Sequence, residues 1–376
     1  MNGTPDLSPL GLPRPELEQL FSGLGEKPFR ARQLMRWMYG RGVLDPAEMT
    51  DLSGVLRETL ATRGDFRLPA IDTVQESSDG TTKWRLAVGA GQLIETVFIP
   101  EEARGTLCVS SQVGCALDCS FCATGRQGFN RNLTAAEIIG QVVLADRALG
   151  RVAGNSRITN VVFMGMGEPL ANFRSVVQAC AVLIDDLGFQ ISRRRVTVST
   201  SGLVPQIRKL ALESNAALAV SLHAPDDELR NVLVPINRRH PIAELLQACW
   251  DYAESTNAMG ITFEYVMLSG VNDSEAQARA LAKLLKNRPA KVNLIPFNHF
   301  PGSDYRRSTP DALARFRQVL LDNRIMTMVR RTRGDDIAAA CGQLAGQVSN
   351  RVLVALGDKG RKPAPGPALR EVRWQN

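Results

Sequence analysis

The sequence predicts an α/β protein in which a parallel βα domain follows a small helical module and a β-rich connector. Three observations lead there. From about residue 104, six short β-rich runs alternate with helical patterns. Residues 1–90 instead read as short helices followed by a hairpin. The length, 376 residues, suits two or three domains at ~150 residues each, and 44% hydrophobic with 22% charged residues is ordinary globular usage. That balance excludes a chain disordered throughout, because enough apolar surface exists to offset ordering entropy. The expected division is a helical accessory module with its hairpin connector at 1–90, the βα domain at 91–350 and a basic tail at 351–376.

Taken in order, PELEQLFSGLG forms a short helix after a Pro-rich lead. KPFRARQLMRWMYGRG follows, with Phe29, Leu34 and Met38 as its apolar face and Arg32 and Arg36 one turn apart. DPAEMTDLSGVLRETLATR offers one or two more helices, with Asp45 and Asp51 as candidate N-caps. TVQES and KWRLAV flank the turn SSDGTT as a hairpin, and QLIETVFIP is a further strand. TLCVSS opens the alternating region. TAAEIIGQVVLADRAL is a helix whose Thr134 and Glu137 have capping-box spacing. ITNVVFM is a strand, and NFRSVVQACAVLIDDLG a helix expected to end at Gly188. VTVSTSG, ALAVSLHA, ITFEYVML and KVNLIPF complete the six strands. A later helix starts with Thr309 as N-cap and Pro310 at its first position. A partial (βα)6 barrel and a doubly wound sheet both fit this pattern, and counting strands does not separate them. The stretch GDKGRKPAPGPALREVRWQN, rich in Gly, Pro and basic residues, reads as a disordered tail.

The net charge is +7, but it is unevenly placed. Residues 1–90 carry 11 basic and 12 acidic side chains, so the rest carries +8. Arg193 to Arg195, Arg238 with Arg239, Arg306 with Arg307, and Arg330, Arg331 and Arg333 form clusters. One such cluster is an ordinary solvated face; four in one domain suggest a nucleic-acid footprint. No apolar run approaches the ~20 residues of a membrane span. The opening MNGTPDLSPLGLPRPELEQL has no basic start or apolar h-region, and a cytoplasmic location without membrane contact is expected.

Seven cysteines, an odd number without a secretion signal, argue against a disulfide framework. Cys115, Cys119 and Cys122 lie in GCALDCSFCATG, a C-x3-C-x2-C run in the loop after the first strand of the alternating region. Thiolates bind soft metals and iron–sulfur clusters. Three of them do not complete a tetrahedral structural zinc site, whereas a [4Fe–4S] cluster on three cysteines leaves one iron free for another ligand. Cys180 and Cys249 fall among apolar neighbours and read as core.

This run resembles the radical SAM superfamily, and GMGEP, Gly165 to Pro169 at the end of the next strand, is similar to that superfamily's glycine-rich strand end. TLCVSSQVGCALDCSFCATG, VVFMGMGEPLAN, VTVSTSG, AVSLHAP, NLIPFNHFPG and AACGQL resemble the RlmN/Cfr family of RNA methyltransferases, from about residue 15 to 350. The resemblance implies a partial (βα)6 radical SAM barrel, a [4Fe–4S] cluster on Cys115, Cys119 and Cys122, and S-adenosylmethionine used twice per turnover. It implies cofactor contacts at Gly167, Glu168, Ser199, Ser221, Leu222, His223 and Asn298. The 1–90 module is similar to the family's RNA-holding accessory domain, with Arg30, Arg32, Arg36 and Arg41 as its basic residues.

Within the family, C2 of adenine in 23S rRNA and tRNA is the target, and this carbon is too electron-poor for a simple SN2 methyl transfer. The resemblance implies that Cys341 first takes the methyl, that a radical made from a second S-adenosylmethionine activates it, and that Cys108 resolves the RNA adduct as a transient Cys108–Cys341 disulfide. It also implies that Glu95 accepts the C2 proton, although on the residues alone an ordinary edge-strand glutamate fits equally well. An electron donor such as flavodoxin with its reductase would be needed. The nearest competing reading is a Cfr-type C8 methyltransferase, and the long N-terminal module favours the C2 branch. A radical SAM activating enzyme would need no Cys108/Cys341 pair, and a non-catalytic iron–sulfur RNA-binding protein would bind RNA but not cleave S-adenosylmethionine.

Overall fold

The computed structural model describes residues 6–150, 157–349, 351–354 and 370–372. Three helices, α1 (Arg14–Gly23), α2 (Pro28–Met35) and α3 (Gly54–Arg63), make the N-terminal module. They bury Leu17, Phe21, Leu34, Leu56 and Leu60 in contact with one another. Phe29, expected on the apolar face, is instead 46% exposed and lies under the Arg30 guanidinium at 4.8 Å. Asp45 caps as expected, accepting from the Ala47 N–H at 2.9 Å. Asp51 does not cap α3: Ser53 does, accepting from the Leu56 N–H. The Asp51 carboxylate accepts the Trp37 indole N–H instead, at 2.5 Å.

The connector forms β1 (Ala70–Glu76), β2 (Thr82–Ala87) and β3 (Leu93–Glu101). It does not stand apart from the following domain. β3 pairs antiparallel with β4 (Arg104–Cys108), the first strand of the parallel array. Next come β5 (Gln112–Gly114), α4 (Ala123–Gln127), β6 (Phe129–Asn132), α5 (Ala135–Ala148) and β7 (Asn160–Phe163). They are followed by α6 (Phe173–Ile184), β8 (Val196–Thr200), α7 (Val204–Glu213), β9 (Ala217–Ser221), α8 (Asp227–Leu233) and α9 (Ile242–Ser255). The domain continues with β10 (Ile261–Met267), α10 (Glu275–Leu285), β11 (Ala290–Pro296), α11 (Pro310–Asp322) and β12 (Met326–Val329).

The order β1-β2-β3-β4-β7-β8-β9-β10-β11-β12 runs strictly along the chain, and every neighbour from β4 to β12 is parallel. A doubly wound sheet reverses direction at a switch point. This one never does, so right-handed crossovers put all its helices on one face, as in a barrel. The sheet stays open, with β1 and β12 as its edges. The fold is therefore the partial-barrel alternative, with seven parallel strands rather than six. β12, MTMV, is as short as β7 but lacks the longer apolar run, ITNVVFM, that makes β7 legible in the sequence.

Thr134 and Glu137 form the capping box of α5, and Thr309 caps α11. α6 ends at Ile184, before Gly188. Gly188 instead folds back on the last turn, where a Cβ would come within 1.9 Å of the Val182 carbonyl. Of the tail expected to be disordered, the described pieces form β13 (Val352–Val354) and β14 (Arg370–Val372). β13 gains a backbone partner at Phe129 of β6, and β14 pairs with β13. Residues 355–369 and 373–376 lie outside the described residues. Among the described residues, no helix is long and apolar enough to cross a membrane.

Strand direction sorts the arginine clusters. Arg193–Arg195 immediately precede β8 and lie at the strands' N-terminal end. Arg306 and Arg307 follow β11, and Arg330 to Arg333 follow β12, on the side of the cysteine loop, whereas Arg238 and Arg239 lie between α8 and α9.

Candidate active site

Cys115, Cys119 and Cys122 lie between β5 and α4, in a loop folded back on itself. The Cys122 N–H donates to the Cys119 carbonyl at 3.1 Å, and the Cys115 N–H to the Gly128 carbonyl at 2.9 Å. The turn starts at Gly114, whose φ of +76° and 1.9 Å approach of a notional Cβ to the Gly128 carbonyl admit only glycine. A separate apolar cluster encloses the loop, including Leu117, Leu233, Ile236, Val266, Phe297 and Phe300. A latch closes over it: Ser120 Oγ and Tyr305 Oη are 2.9 Å apart, and the Arg126 guanidinium lies 5.3 Å from the Phe300 ring centre.

Burial pushes the Cys119 thiol up to about 12, with the neighbouring Cys122 adding to the shift, and raises Cys115 for the same two reasons. Three soft donors in one loop, with Cys119 buried and Cys115 and Cys122 partly buried, suit a group that neutralises thiolate charge. Among the described residues, no three His, Cys, Asp or Glu side chains are close enough to hold one metal ion. Ligands that each take a different iron of a cluster need not be.

Beside the loop, the C-terminal strand ends line a cavity. Phe121, Cys122, Gly167, Glu168, Ser199, Ser221, His223 and Asn298 all face it. Gly165 and Gly167, both on the cavity lining, are also required by packing. A Cβ on Gly165 would come within 2.7 Å of the Val109 backbone, and one on Gly167, at φ +100°, within 2.5 Å of Gln112. These glycines let the β7 end pack against the segment leading into the cysteine loop. Glu168 is buried; it accepts from the Ser201 N–H at 2.8 Å and the Leu170 N–H at 3.0 Å. Burial raises its pKa, and these hydrogen bonds oppose the rise.

His223 is a fixed residue. Its φ is +61°, and its Nδ1 accepts the Val266 N–H at 2.9 Å, which puts the neutral ring's proton on Nε2. Burial, with the Arg230 charge nearby, lowers its pKa to about 3. Leu222 does not reach the cavity. Its side chain is fully buried in the main core, and its backbone bonds Glu264 and Arg230.

A second cavity shares Met164, Asn298, Arg330 and Cys341 with the first and adds Cys108 and Val97. Cys341 therefore borders both spaces. Burial pushes Cys108 up to about 12, Cys341 raises it further, and Arg330 opposes. Cys108 and Cys341 are both free thiols, as are the other five cysteines. Asn298 Nδ2 donates to the Cys341 carbonyl at 3.3 Å.

Glu95, on β3, lines neither cavity. Its Oε1 lies 3.3 Å from Lys83 Nζ, and its Oε2 accepts the Ala345 N–H at 2.9 Å. Both side chains of the ion pair are 8% exposed. These contacts belong to a series by which the connector grips the Cys341 segment. Asp79 accepts from the Gly334 N–H, Asp336 accepts from Ser77 Oγ, and Lys83 donates to the Ala338 carbonyl. Lys83, Glu264 and Arg230 were not singled out from sequence, and Arg330 was read only as part of a basic cluster. Lone charged residues on β-rich or helical patterns read as surface, and only the fold turns them inward.

Residues 9–64 match the family described as "Ribosomal RNA large subunit methyltransferase N-terminal domain", and residues 109–282 match the radical SAM superfamily. A radical SAM methyltransferase from Sphaerobacter thermophilus is 46% identical, covers 90% of this chain and 99% of its own, and superposes with a TM-score of 0.83. The chain belongs to the RlmN-type radical SAM methyltransferases. A domain of pyruvate-formate lyase-activating enzyme from Bacteroides vulgatus is 18% identical, covering 46% of this chain and 99% of its own at a TM-score of 0.35. A spore photoproduct lyase is 12% identical, covering 88% and 99% at 0.45.

The protein is thus an S-adenosylmethionine-dependent radical methyltransferase, and its family implies a [4Fe–4S] cluster together with S-adenosylmethionine. The three-thiol loop, with Cys122 facing the adjoining strand-end cavity, fits those groups.

Proposed function

We propose that this RlmN-type enzyme methylates C2 of adenine in 23S rRNA and tRNA through a methyl carried on Cys341. The observation that supports this most is the position of Cys341, bordering both the cofactor cavity and the cavity that holds Cys108. When bound on Cys115, Cys119 and Cys122 and along Gly167, Glu168, Ser199, Ser221, Leu222, His223 and Asn298, the cluster and S-adenosylmethionine supply a methyl group and a hydrogen-abstracting radical. Leu222 would take part from behind the wall, its backbone bonds to Glu264 and Arg230 fixing the strand end that carries Ser221 and His223.

The chain's own groups do the rest. The Cys341 thiolate accepts the methyl, and the methyl loses a hydrogen atom to the radical. The carbon-centred radical adds to adenine C2. The adduct gives up the C2 proton to Glu95 and one electron, which the oxidised cluster, when bound, would accept. The Cys108 thiolate then attacks the Cys341 sulfur. The sulfur–carbon bond breaks, the methylene carbon leaves with the electron pair and takes a proton, and a transient Cys108–Cys341 disulfide remains. Two electrons restore the thiols. Two molecules of S-adenosylmethionine are consumed, one for the methyl and one for the radical. A low-potential donor such as flavodoxin with its reductase would serve, in the cytoplasm. Folded RNA is bound by shape and phosphates, and the target base is flipped into the site.

Nucleoside mass spectrometry of rRNA and tRNA from strains with and without the gene tests this reading. 2-Methyladenosine present only with the gene is expected. 8-Methyladenosine would place the enzyme in the Cfr-type branch, and loss of neither nucleoside would refute the proposal.

A further inference from the structure

Ser201 occupies a junction that none of the assigned roles explains. It follows β8, and three of its groups point to three different partners. Its N–H donates to Glu168 at 2.8 Å. Its carbonyl accepts from Arg230 at 2.8 Å. Its Oγ lies 3.9 Å from the Cys119 sulfur. Arg230, in turn, is fully buried and holds two strand ends together: it donates to the Ser201, Ser221 and Leu222 carbonyls and to Asn237 Oδ1 at 2.7–3.1 Å. Among the described residues it makes no salt bridge; its partners are neutral oxygens. A buried cation held this way is costly unless it has a task, because a charge removed from water needs compensation.

We infer that Ser201, held in place by Arg230, is a positioning residue that donates a hydrogen bond to the Cys119 sulfur and raises the reduction potential of the cluster this thiolate carries. The inference rests on the reading of Cys119 as a cluster ligand. In the free protein either the thiol or the hydroxyl could donate. A metal-bound thiolate has no proton, so the hydroxyl must be the donor. Reduction adds one negative charge to the cluster and its sulfurs, and a donor on a sulfur stabilises the reduced state more than the oxidised one. The Arg230 charge acts in the same direction. The Ser201 hydroxyl has one competing acceptor, the Glu168 carboxylate.

Ser201→Ala removes only the hydroxyl and keeps both backbone bonds, and Ser201→Thr restores a hydroxyl. Each is reconstituted anaerobically beside wild type and Cys119→Ala. Iron content, the midpoint potential followed by electron paramagnetic resonance, and S-adenosylmethionine affinity for the oxidised protein are measured. The expected result is full iron in both Ser201 variants, a more negative potential in Ser201→Ala, a return towards wild type in Ser201→Thr, and unchanged affinity. An unchanged potential in Ser201→Ala, with or without weaker S-adenosylmethionine binding, would overturn the inference; weaker binding would put the proton on Glu168. Full iron in Cys119→Ala would instead remove the ligand assignment on which the inference stands.

Discussion

Glu95 has both carboxylate oxygens engaged, one by Lys83 and one by the Ala345 N–H. Two roles therefore compete at one side chain: proton acceptor, and tie between connector and the Cys341 segment. If Glu95 takes the C2 proton, Glu95→Gln should leave Cys341 methylation intact while slowing adduct resolution by ~10²–10⁴-fold, the usual worth of a general base. Single-turnover gels for the protein–RNA species check this; loss of Cys341 methylation would mark the tie as its main task. Lys83→Met removes one partner of a buried pair, which typically costs about 3–5 kcal/mol. Denaturant melts should show that loss, and show much of it regained in Lys83→Met/Glu95→Gln. The motif residues were legible in the sequence because their chemistry is local: three thiols in eight positions, glycines ahead of Glu168. Lys83 and Arg230 were not, because nothing in KWRLAV or DELRNV distinguishes a charge the fold will bury from one it will leave in water.

At the scale of elements, the β1–β2 turn and the Cys341 segment are joined mainly by carboxylates. Burial alone would raise Asp79, but hydrogen bonds from Thr81, Gly334 and Ser77 outweigh it and hold its pKa at about 2. A depressed carboxylate stabilises the fold above its unfolded pKa, near 3.8, and that stability is lost as pH falls from about 4 towards 2. The protection of the Gly334 amide, its exchange relative to the intrinsic rate at each pH, should therefore fall over that window, and Asp79→Asn should show the lower protection already at neutral pH. Protection that changes neither with pH nor with the substitution would contradict the clamp. The helices and six of the seven parallel strands were readable from periodicity and caps, as Thr134, Glu137 and Thr309 show. The four-residue β12 and the pairing of β13 with β6 were not, since both depend on partners distant in the chain.

Across the whole molecule, the sequential strand order gathers every strand end at one rim, and that rim sorts the charge. Arg306 and Arg331 are exposed on the site side, whereas Arg194 and Arg195 are exposed on the opposite side. Arg306→Ala and Arg331→Ala should weaken RNA binding and flatten its salt dependence, and Arg194→Ala with Arg195→Ala should change neither. Equal losses from both pairs, in binding isotherms over a salt series, would mean that the RNA path is not set by the rim.

The central claim is that Cys341 carries the methyl from one cavity to the other and Cys108 releases it. Cys108→Ala, loaded with its cluster and given S-adenosylmethionine, reductant and substrate RNA, tests it most directly by mass spectrometry of nuclease- and protease-digested product. A nucleotide joined through one methylene to the peptide containing Cys341, with no methylated free RNA, is expected. Normal amounts of methylated RNA and no such cross-link would contradict it.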